Sequence, residues 1–234
     1  AFGPSIVRSG AETAYERAVA LDGPNASEAQ VREAVQLYRE AAEGGLPAAM
    51  YQVARAYDKG RGVARDLTAA AEWYRRAADL HHAGAMASLG TMYEFGEGMG
   101  KDLAAALRFY RLAAEAGDPH GLTSLAYLHA EGKGVAKNPI EARRLYGLAA
   151  EKGQARAMYN LAILHMSGAG GPRNMVQAVN LLKQASEKGH SAAKRELAVL
   201  YDEGRGVARS SQRAAELLLQ AYKSGDAGAP RVTG

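Results

Sequence analysis

The chain has 234 residues, of which 47% are hydrophobic and 23% charged, a composition that excludes an intrinsically disordered protein. The absence of cysteine excludes a disulfide framework, a thiolate zinc site and a cysteine nucleophile. The formal net charge of +4 is spread over the whole chain, so it gives little indication of a nucleic-acid or membrane partner. No apolar run approaches the roughly 18 residues that cross a bilayer, and no transmembrane segment is expected.

The two ends of the chain differ from the rest in composition. Residues 1–10 form an N-terminal extension that begins Ala1-Phe2-Gly3, without an initiator methionine. We therefore expect either that a targeting peptide has been removed or that the chain is a piece of a longer protein. Residues 227–234 are mostly small, and we expect them to form a flexible tail.

Between these ends, the sequence repeats itself every 36 residues without a gap. The six segments are 11–46, 47–82, 83–118, 119–154, 155–190 and 191–226. Their clearest markers are two glycine columns, Gly60, Gly96, Gly132, Gly168 and Gly204, and Gly62, Gly98, Gly134, Gly170 and Gly206. A fixed period of this length is typical of repeat proteins, in which neighbouring units stack to bury their apolar faces.

Each segment carries two helical patterns separated by the glycines. In the second repeat, Met50, Val53 and Tyr57 fall on one face of a first helix. Leu67, Ala70 and Tyr74 indicate a second helix by the same spacing, and alternation typical of strands is absent. The sequence therefore predicts an all-α fold of helix-turn-helix repeats.

Polar and glycine columns predict where the second helix begins and ends. Good N-cap residues precede it in five repeats, at Asp66, Asp102, Asn138, Asn174 and Ser210. A further glycine column, Gly45, Gly117, Gly153, Gly189 and Gly225, predicts a left-handed residue after it. His81 takes that place in the second repeat, and we expect His81 to act as the cap and His82 as its solvated neighbour.

The repeat resembles that of the Sel-one-like repeat (SLR) family, a relative of the tetratricopeptide (TPR) repeats. The second repeat carries the motif as Ala49, Val53-Ala54, Tyr57, Gly60-Arg61-Gly62-Val63, Asp66, Ala70, Trp73-Tyr74 and Ala77-Ala78. The resemblance covers residues 11–226, although the loop of the first repeat lacks the Gly-x-Gly, as suits a terminal cap. It implies an α-solenoid, a TPR-like right-handed superhelix of six repeats.

The resemblance also implies a function, that of a non-catalytic scaffold, adaptor or regulator that binds a protein or peptide in its concave groove. Bacterial signalling and cell-envelope processes are the settings that it implies, with no cofactor. Together with the missing start, it favours a periplasmic or secreted location, and the cytoplasm is the alternative. A second hypothesis makes the chain an interaction module excised from or appended to a larger enzyme.

Chemical motifs are weak in comparison. The Gly-x-Gly loops have neither the preceding strand nor the third glycine of a dinucleotide-binding fingerprint. His129 and His165 lie 36 residues apart in a column that otherwise holds tyrosine, so a metal-binding sensor is a further hypothesis. Polar replacement of a packing tyrosine is the favoured explanation of both histidines, since no carboxylate shares their column. No arrangement of residues predicts a catalytic site.

The columns that vary between repeats indicate the binding surface. In the implied superhelix, the first helices line the concave side, where tyrosine and arginine are typical binding hot spots. The candidate partner-binding residues are Tyr51, Gln52, Arg55, Tyr127, Arg156, Tyr159, Asn160 and Arg195. They fit a peptide or helix with acidic and apolar features.

Two other surfaces complete the prediction. On the second helices, glutamates interleave with the arginines, which is the usual pattern of a solvated face, so no nucleic-acid partner is expected. The last helix carries Leu217-Leu218-Leu219 with no following repeat to cover it. This end is a candidate surface for an end-to-end dimer or for docking onto a further domain.

Overall fold

The computed structural model of the chain describes residues 9–224. Within this range the chain forms twelve α-helices and no strand, as six helix–loop–helix repeats, which confirms the predicted fold class. The first helices of the repeats are α1 (Gly10–Leu21), α3 (Pro47–Lys59), α5 (Ala83–Phe95), α7 (Pro119–Glu131), α9 (Ala155–Ser167) and α11 (Ser191–Glu203). The second helices are α2 (Glu28–Glu43), α4 (Leu67–Asp79), α6 (Leu103–Glu115), α8 (Pro139–Glu151), α10 (Met175–Glu187) and α12 (Ser211–Lys223).

The helices belong to two compact units, one ending at Gly121 and the other beginning at Leu122. In the first unit, α1 packs on α2, α3 on α4 and α5 on α6, while α2–α3 and α4–α5 contacts join successive repeats. In the second unit, α9 packs on α10 and α11 on α12, while α8–α9 and α10–α11 contacts join the repeats. Within each unit, a second helix is therefore covered by the first helix of the following repeat.

Local side chains determine where the second helices begin, as the sequence predicts. The carboxylates of Asp66 and Asp102 each accept a hydrogen bond at 3.0 Å from the backbone N–H three residues later. Asn138, Asn174 and Ser210 accept the equivalent bond at 3.1, 2.9 and 3.2 Å. Each bond satisfies one of the N–H groups that the first helical turn leaves without an intrahelical partner.

The glycines between the two helices have left-handed backbone, as predicted. In the second repeat φ is 65° at Gly60 and 74° at Gly62, a region that a side chain disfavours. The second glycine also allows a close approach to the neighbouring repeat. A Cβ at Gly98 would collide with the backbone carbonyl of Leu67, at the start of α4. The loops are therefore held against the preceding second helix.

The position after the second helix is also left-handed. His81 has a φ of 62°, and the described glycines of its column have positive φ, at Gly45, Gly117, Gly153 and Gly189. The predicted role of His81 as the terminating residue is therefore confirmed. Gly225, the last member of this column, lies outside the described residues, as do the N-terminal residues 1–8 and the predicted tail.

Small residues and tyrosines form the cores of both units. One alanine column of the second helices is fully buried, at Ala41, Ala77, Ala113, Ala149, Ala185 and Ala221. These side chains allow the helices to approach closely, and the larger Tyr110 fills the space beside them. The phenol of Tyr110 donates a hydrogen bond to Glu94 at 2.7 Å. A Cβ at Gly90 would lie 2.6 Å from the Tyr110 ring, so this glycine makes room for it.

Candidate partner-binding surface

The first unit brings three of the predicted residues together on α3. The ring of Tyr51 stacks on His82, with 4.5 Å between the ring centroids. The guanidinium carbon of Arg55 lies 5.8 Å from the centroid of the Tyr51 ring, and its Nη1 donates to Gln52 at 3.4 Å. Tyr51 is thus held between an imidazole and a guanidinium group.

Gln52 and Arg55 also line a cavity of about 60 Å³ beside α2 and α3. Lys59 and Arg61 add two cations to its wall. Arg61 forms an ion pair with Asp22, the only carboxylate among the lining residues. Lys59 is paired in turn with Asp58, at 3.0 Å, so both added cations have carboxylate partners.

In the second unit, three predicted residues act on a histidine that was not among them, one by stacking and two by their charge. The ring of Tyr159 stacks on His190, with 4.9 Å between the centroids. Burial lowers the pKa of His190, and the positive charges of Arg156 and Arg195 lower it further. The imidazole is therefore neutral near pH 7, and one of its neighbours is the stacked Tyr159 ring. We refer to Arg156, Tyr159, His190 and Arg195 as the His190 cluster.

His82 and His190 have the same structural role in the two units. Each is the N-cap of a first helix, and its Nδ1 accepts a backbone N–H, from Ala85 and Ala193 respectively, at 3.2 Å. Burial is the main cause of a lowered pKa at His82 as well. The expectation that His82 is a solvated neighbour of His81 is therefore incomplete, because His82 is half-buried under Tyr51. Its position directly before a first helix is the signal that indicates this role.

Asn160 has a structural contact that its column does not reveal. Its side chain lies near the phenol of Tyr146 on α8, whose pKa is raised mainly by burial and lowered in part by Asn160. Ser88 acts in the same way on Tyr74 in the first unit. Both polar residues lie near a tyrosine of the preceding second helix. Asn160 is thus part of the packing between α8 and α9.

Tyr127 lies on α7, and Lys133 from the following loop holds it. The Lys133 ammonium donates to the Tyr127 hydroxyl at 2.7 Å and lies 4.6 Å from the centroid of the ring. This pairing of a cation with an aromatic face favours the observed orientation of the phenol. Lys133 was not among the predicted residues, since its position in the loop gives no indication of the contact.

The two histidines proposed as metal ligands have different surroundings. The guanidinium of Arg143 donates to Nδ1 of His165 at 2.6 Å, and burial together with this charge lowers the pKa of His165. A neighbouring cation opposes metal binding at that nitrogen. Nδ1 of His129 is buried and has no hydrogen-bond partner among the described residues. Residues 9–224 contain no group of three or more His, Cys, Asp or Glu side chains placed to hold a metal ion.

A family model described as Sel1 repeat matches residues 14–46, 47–82, 83–118, 119–154, 155–190 and 191–226. No curated protein matches the sequence significantly. None of the helices in residues 9–224 is long and apolar enough to span a membrane.

Several solved bacterial structures are similar to this chain. The protein c5321, a protective antigen of uropathogenic Escherichia coli strains with an SLR fold, is 30% identical with a TM-score of 0.78. The match covers 92% of this chain and 46% of c5321, so the chain spans about half of that protein. A Sel1 repeat protein from Oxalobacter formigenes is 28% identical with a TM-score of 0.77, and the match covers 92% of this chain and 97% of that one. The immunity protein Pa5087 from Pseudomonas aeruginosa shares the fold, with 20% identity, a TM-score of 0.61 and coverage of 97% and 86%.

Proposed function

The chain belongs to the Sel1 repeat family, and from this premise we propose that it is a non-catalytic scaffold that binds a partner protein through the first helices of its repeats. Sel1 repeat proteins are generally scaffolds rather than enzymes, and they often serve as protein-interaction modules. We further propose a role as an adaptor or regulator in bacterial signalling or cell-envelope processes. The bacterial origin of the similar structures supports this setting.

The observation that carries the proposal is the His190 cluster. The Tyr159 ring is already held by stacking on His190, so little side-chain entropy is lost when a partner binds. Arg156 and Arg195 are close enough to influence His190, and the charges of Arg195 and Glu196 act on Tyr159. Arginine and tyrosine are also the residue types that contribute most at protein interfaces. Such a site favours a carboxylate of the partner, since each guanidinium can bind one through two parallel hydrogen bonds.

Apolar residues extend the same surface by one helical turn. Ile163 follows Tyr159 by four residues on α9, and Val199 follows Arg195 by four residues on α11, so each pair shares a helix face. Val199 is exposed and Ile163 is half-buried. We therefore propose a partner segment that carries an acidic residue next to an apolar one, as the sequence predicts.

The experiment is a selection of peptides from a displayed random library on the immobilised protein. We expect enriched peptides that combine Asp or Glu with a large apolar residue. Arg156→Glu should weaken their binding by roughly 30-fold, because it replaces attraction by repulsion and costs about 2 kcal/mol. The measurement is the dissociation constant of a labelled peptide by fluorescence anisotropy.

The matched control is Arg173→Glu, an identical change at an exposed loop residue of the same repeat. It should leave the dissociation constant within about twofold. Equal losses in the two variants would show that net charge, and not the His190 cluster, determines binding. Selected peptides without acidic residues would contradict the proposed partner chemistry.

A further inference from the structure

The most exposed large apolar side chains lie at one end of the repeats. Ile140, Phe95 and Val176 are 70%, 63% and 62% exposed, more than any other large hydrophobic residue described. Phe95 is the last residue of α5, while Ile140 and Val176 are the second residues of α8 and α10. All three therefore flank a loop between a first and a second helix. Single exposed apolar residues are ordinary, but recurrence at one structural position is not.

A column of cations occupies the same end. The residue directly before the N-cap of the second helix is basic and exposed in five repeats, at Arg65, Lys101, Lys137, Arg173 and Arg209. Nε of Arg65 and of Arg209 donates to a backbone carbonyl at the end of the first helix, at 2.9 and 2.8 Å. No hydrogen bond or ion pair with the described residues engages the side chains of Lys137 and Arg173. Their charges therefore remain uncompensated by direct contact.

Loop packing in the second unit places these cations beside the apolar residues. A Cβ at Gly170 would collide with the carbonyl of Pro139, so the loop that leads to Arg173 lies against the start of α8, next to Ile140. A Cβ at Gly206 would lie 2.9 Å from Cβ of Met175, so the following loop lies next to Val176 in the same way.

The capping residues of this unit add no negative charge. Asn138, Asn174 and Ser210 are neutral, whereas Asp66 and Asp102 occupy the same position in the first unit. Glu141, in the first turn of α8, is held by two hydrogen bonds from Arg144. Exposed carboxylates end the first helices beside these loops, at Glu131, Asp202 and Glu203, and Glu203 is paired with Arg205. At the starts of the second helices, basic and apolar side chains alternate along the second unit, in an array that we call the loop edge: Lys137, Ile140, Arg173, Val176 and Arg209.

We propose that the loop edge binds the surface of a membrane rich in anionic phospholipids. The negative potential of such a surface attracts the three cations, and the interface accommodates the exposed Ile140 and Val176 side chains. These side chains protrude from loop and helix ends instead of lining a groove, which favours a deformable headgroup layer over a rigid protein surface. Attachment is peripheral, and it leaves the His190 cluster to bind its partner.

The test is co-sedimentation of the full chain with vesicles of phosphatidylcholine, with and without phosphatidylglycerol. We expect binding only to the vesicles that contain phosphatidylglycerol, weakening as salt screens the charges. The double variant Lys137→Glu with Arg173→Glu should lower the partition coefficient by at least roughly 25-fold, since each cation contributes about fivefold. Ile140→Ser with Val176→Ser should lower it by roughly tenfold while leaving the charge unchanged.

The matched control is Arg156→Glu with Arg195→Glu, which changes the net charge equally at the His190 cluster. This variant should keep vesicle binding within about threefold of the unchanged chain. Thermal unfolding followed by circular dichroism checks that every variant is folded. An equal loss in both charge variants, or no binding of the unchanged chain to anionic vesicles, overturns the proposal. Binding of a poly-glutamate peptide at the loop edge without vesicle binding replaces the membrane by an acidic protein partner.

Discussion

His81 has a left-handed backbone conformation at the end of a second helix. In the described residues, glycine has this conformation at the equivalent positions Gly45, Gly117, Gly153 and Gly189. A residue with a Cβ loses roughly 1 kcal/mol or more in this conformation, because the side chain crowds the following carbonyl. We therefore predict that His81→Gly raises the free energy of unfolding by about 1 kcal/mol. Urea unfolding followed by circular dichroism measures the change.

The reverse substitution at the same place in another repeat is the control. Gly153 has a φ of 83°, and an added Cβ would meet only the flexible end of Lys188, at 3.4 Å from its Nζ. Gly153→His should therefore lower the free energy of unfolding by about the amount that His81→Gly adds. A stabilising effect of both changes, or of neither, would show that the backbone conformation does not control stability here.

Residues whose role depends on their own neighbours in sequence could be predicted, while contacts across helices could not. The N-cap Asp66 and the left-handed Gly60 act within a few residues of themselves, so their columns suffice. The partner of a side chain on another helix is different, since 36-residue equivalence fixes it only where both side chains recur. Arg39 and Arg75 donate to Tyr57 and Tyr93 of the next repeat, and these two contacts are equivalent.

The fourth repeat lacks this hydrogen bond between an arginine and a tyrosine of the next repeat. Gly147 stands where Arg39 and Arg75 stand in their repeats, and it has no side chain to reach the next helix. Arg143, one turn earlier on α8, donates to His165 instead. Arg143 and His165 do not lie in columns that are paired in the other repeats, so this contact could not be predicted. The metal-site hypothesis therefore left the neighbouring guanidinium out of account. The influence of Asn160 on Tyr146 could not be predicted for the same reason.

At the scale of helices, two first helices depend on a neutral histidine for their N-caps. Nδ1 of His82 and of His190 accepts a backbone N–H only while it is unprotonated, and a protonated ring would place a positive charge at the positive end of the helix dipole. The pKa of each histidine is lowered in the folded protein. The folded state therefore binds fewer protons than the unfolded state as the pH falls through the ordinary histidine range.

The lowered pKa of the two histidines predicts that the stability from their caps is fully present above a pH of about 6.5. It is lost as the pH falls below that value. Replacing both His82 and His190 by Asn should reduce the loss, because Asn accepts the capping hydrogen bond without titrating; each cap contributes about 1 kcal/mol. The measurement is the free energy of unfolding in urea at a series of pH values.

His165, whose pKa is also lowered, caps no helix and accounts for a remaining slope in the double variant. If the double variant loses stability with acid as steeply as the unchanged chain, the caps are not the titrating elements.

At the scale of the whole molecule, α12 is the last described helix and has an open apolar face. Leu219 and Tyr222 are 43% and 51% exposed, whereas Ser186, at the position of Tyr222 in the preceding repeat, is buried beneath the contact of α10 with α11. We predict that two copies of the chain associate through α12, as its leucines indicate. Sedimentation equilibrium should show dimers that increase with concentration.

Leu219→Glu with Tyr222→Glu should abolish this association, since it would bury two carboxylates at the contact. The matched control is Leu148→Glu on α8, a leucine that is 37% exposed and lies away from the chain end. It should leave the dimer unaffected. A chain that remains monomeric at every concentration, or variants that behave alike, would contradict the prediction.

Local capping of each helix allows the number of repeats to change during evolution. Because a 36-residue segment carries its own cap and its own loop glycines, duplication or deletion of one whole segment preserves every helix boundary. A shift by a single residue would instead turn the apolar face of each following helix by about 100°. Recombination in the gene can thus lengthen or shorten the array in whole repeats, and so adjust how much surface a ligand meets while the packing rules stay the same.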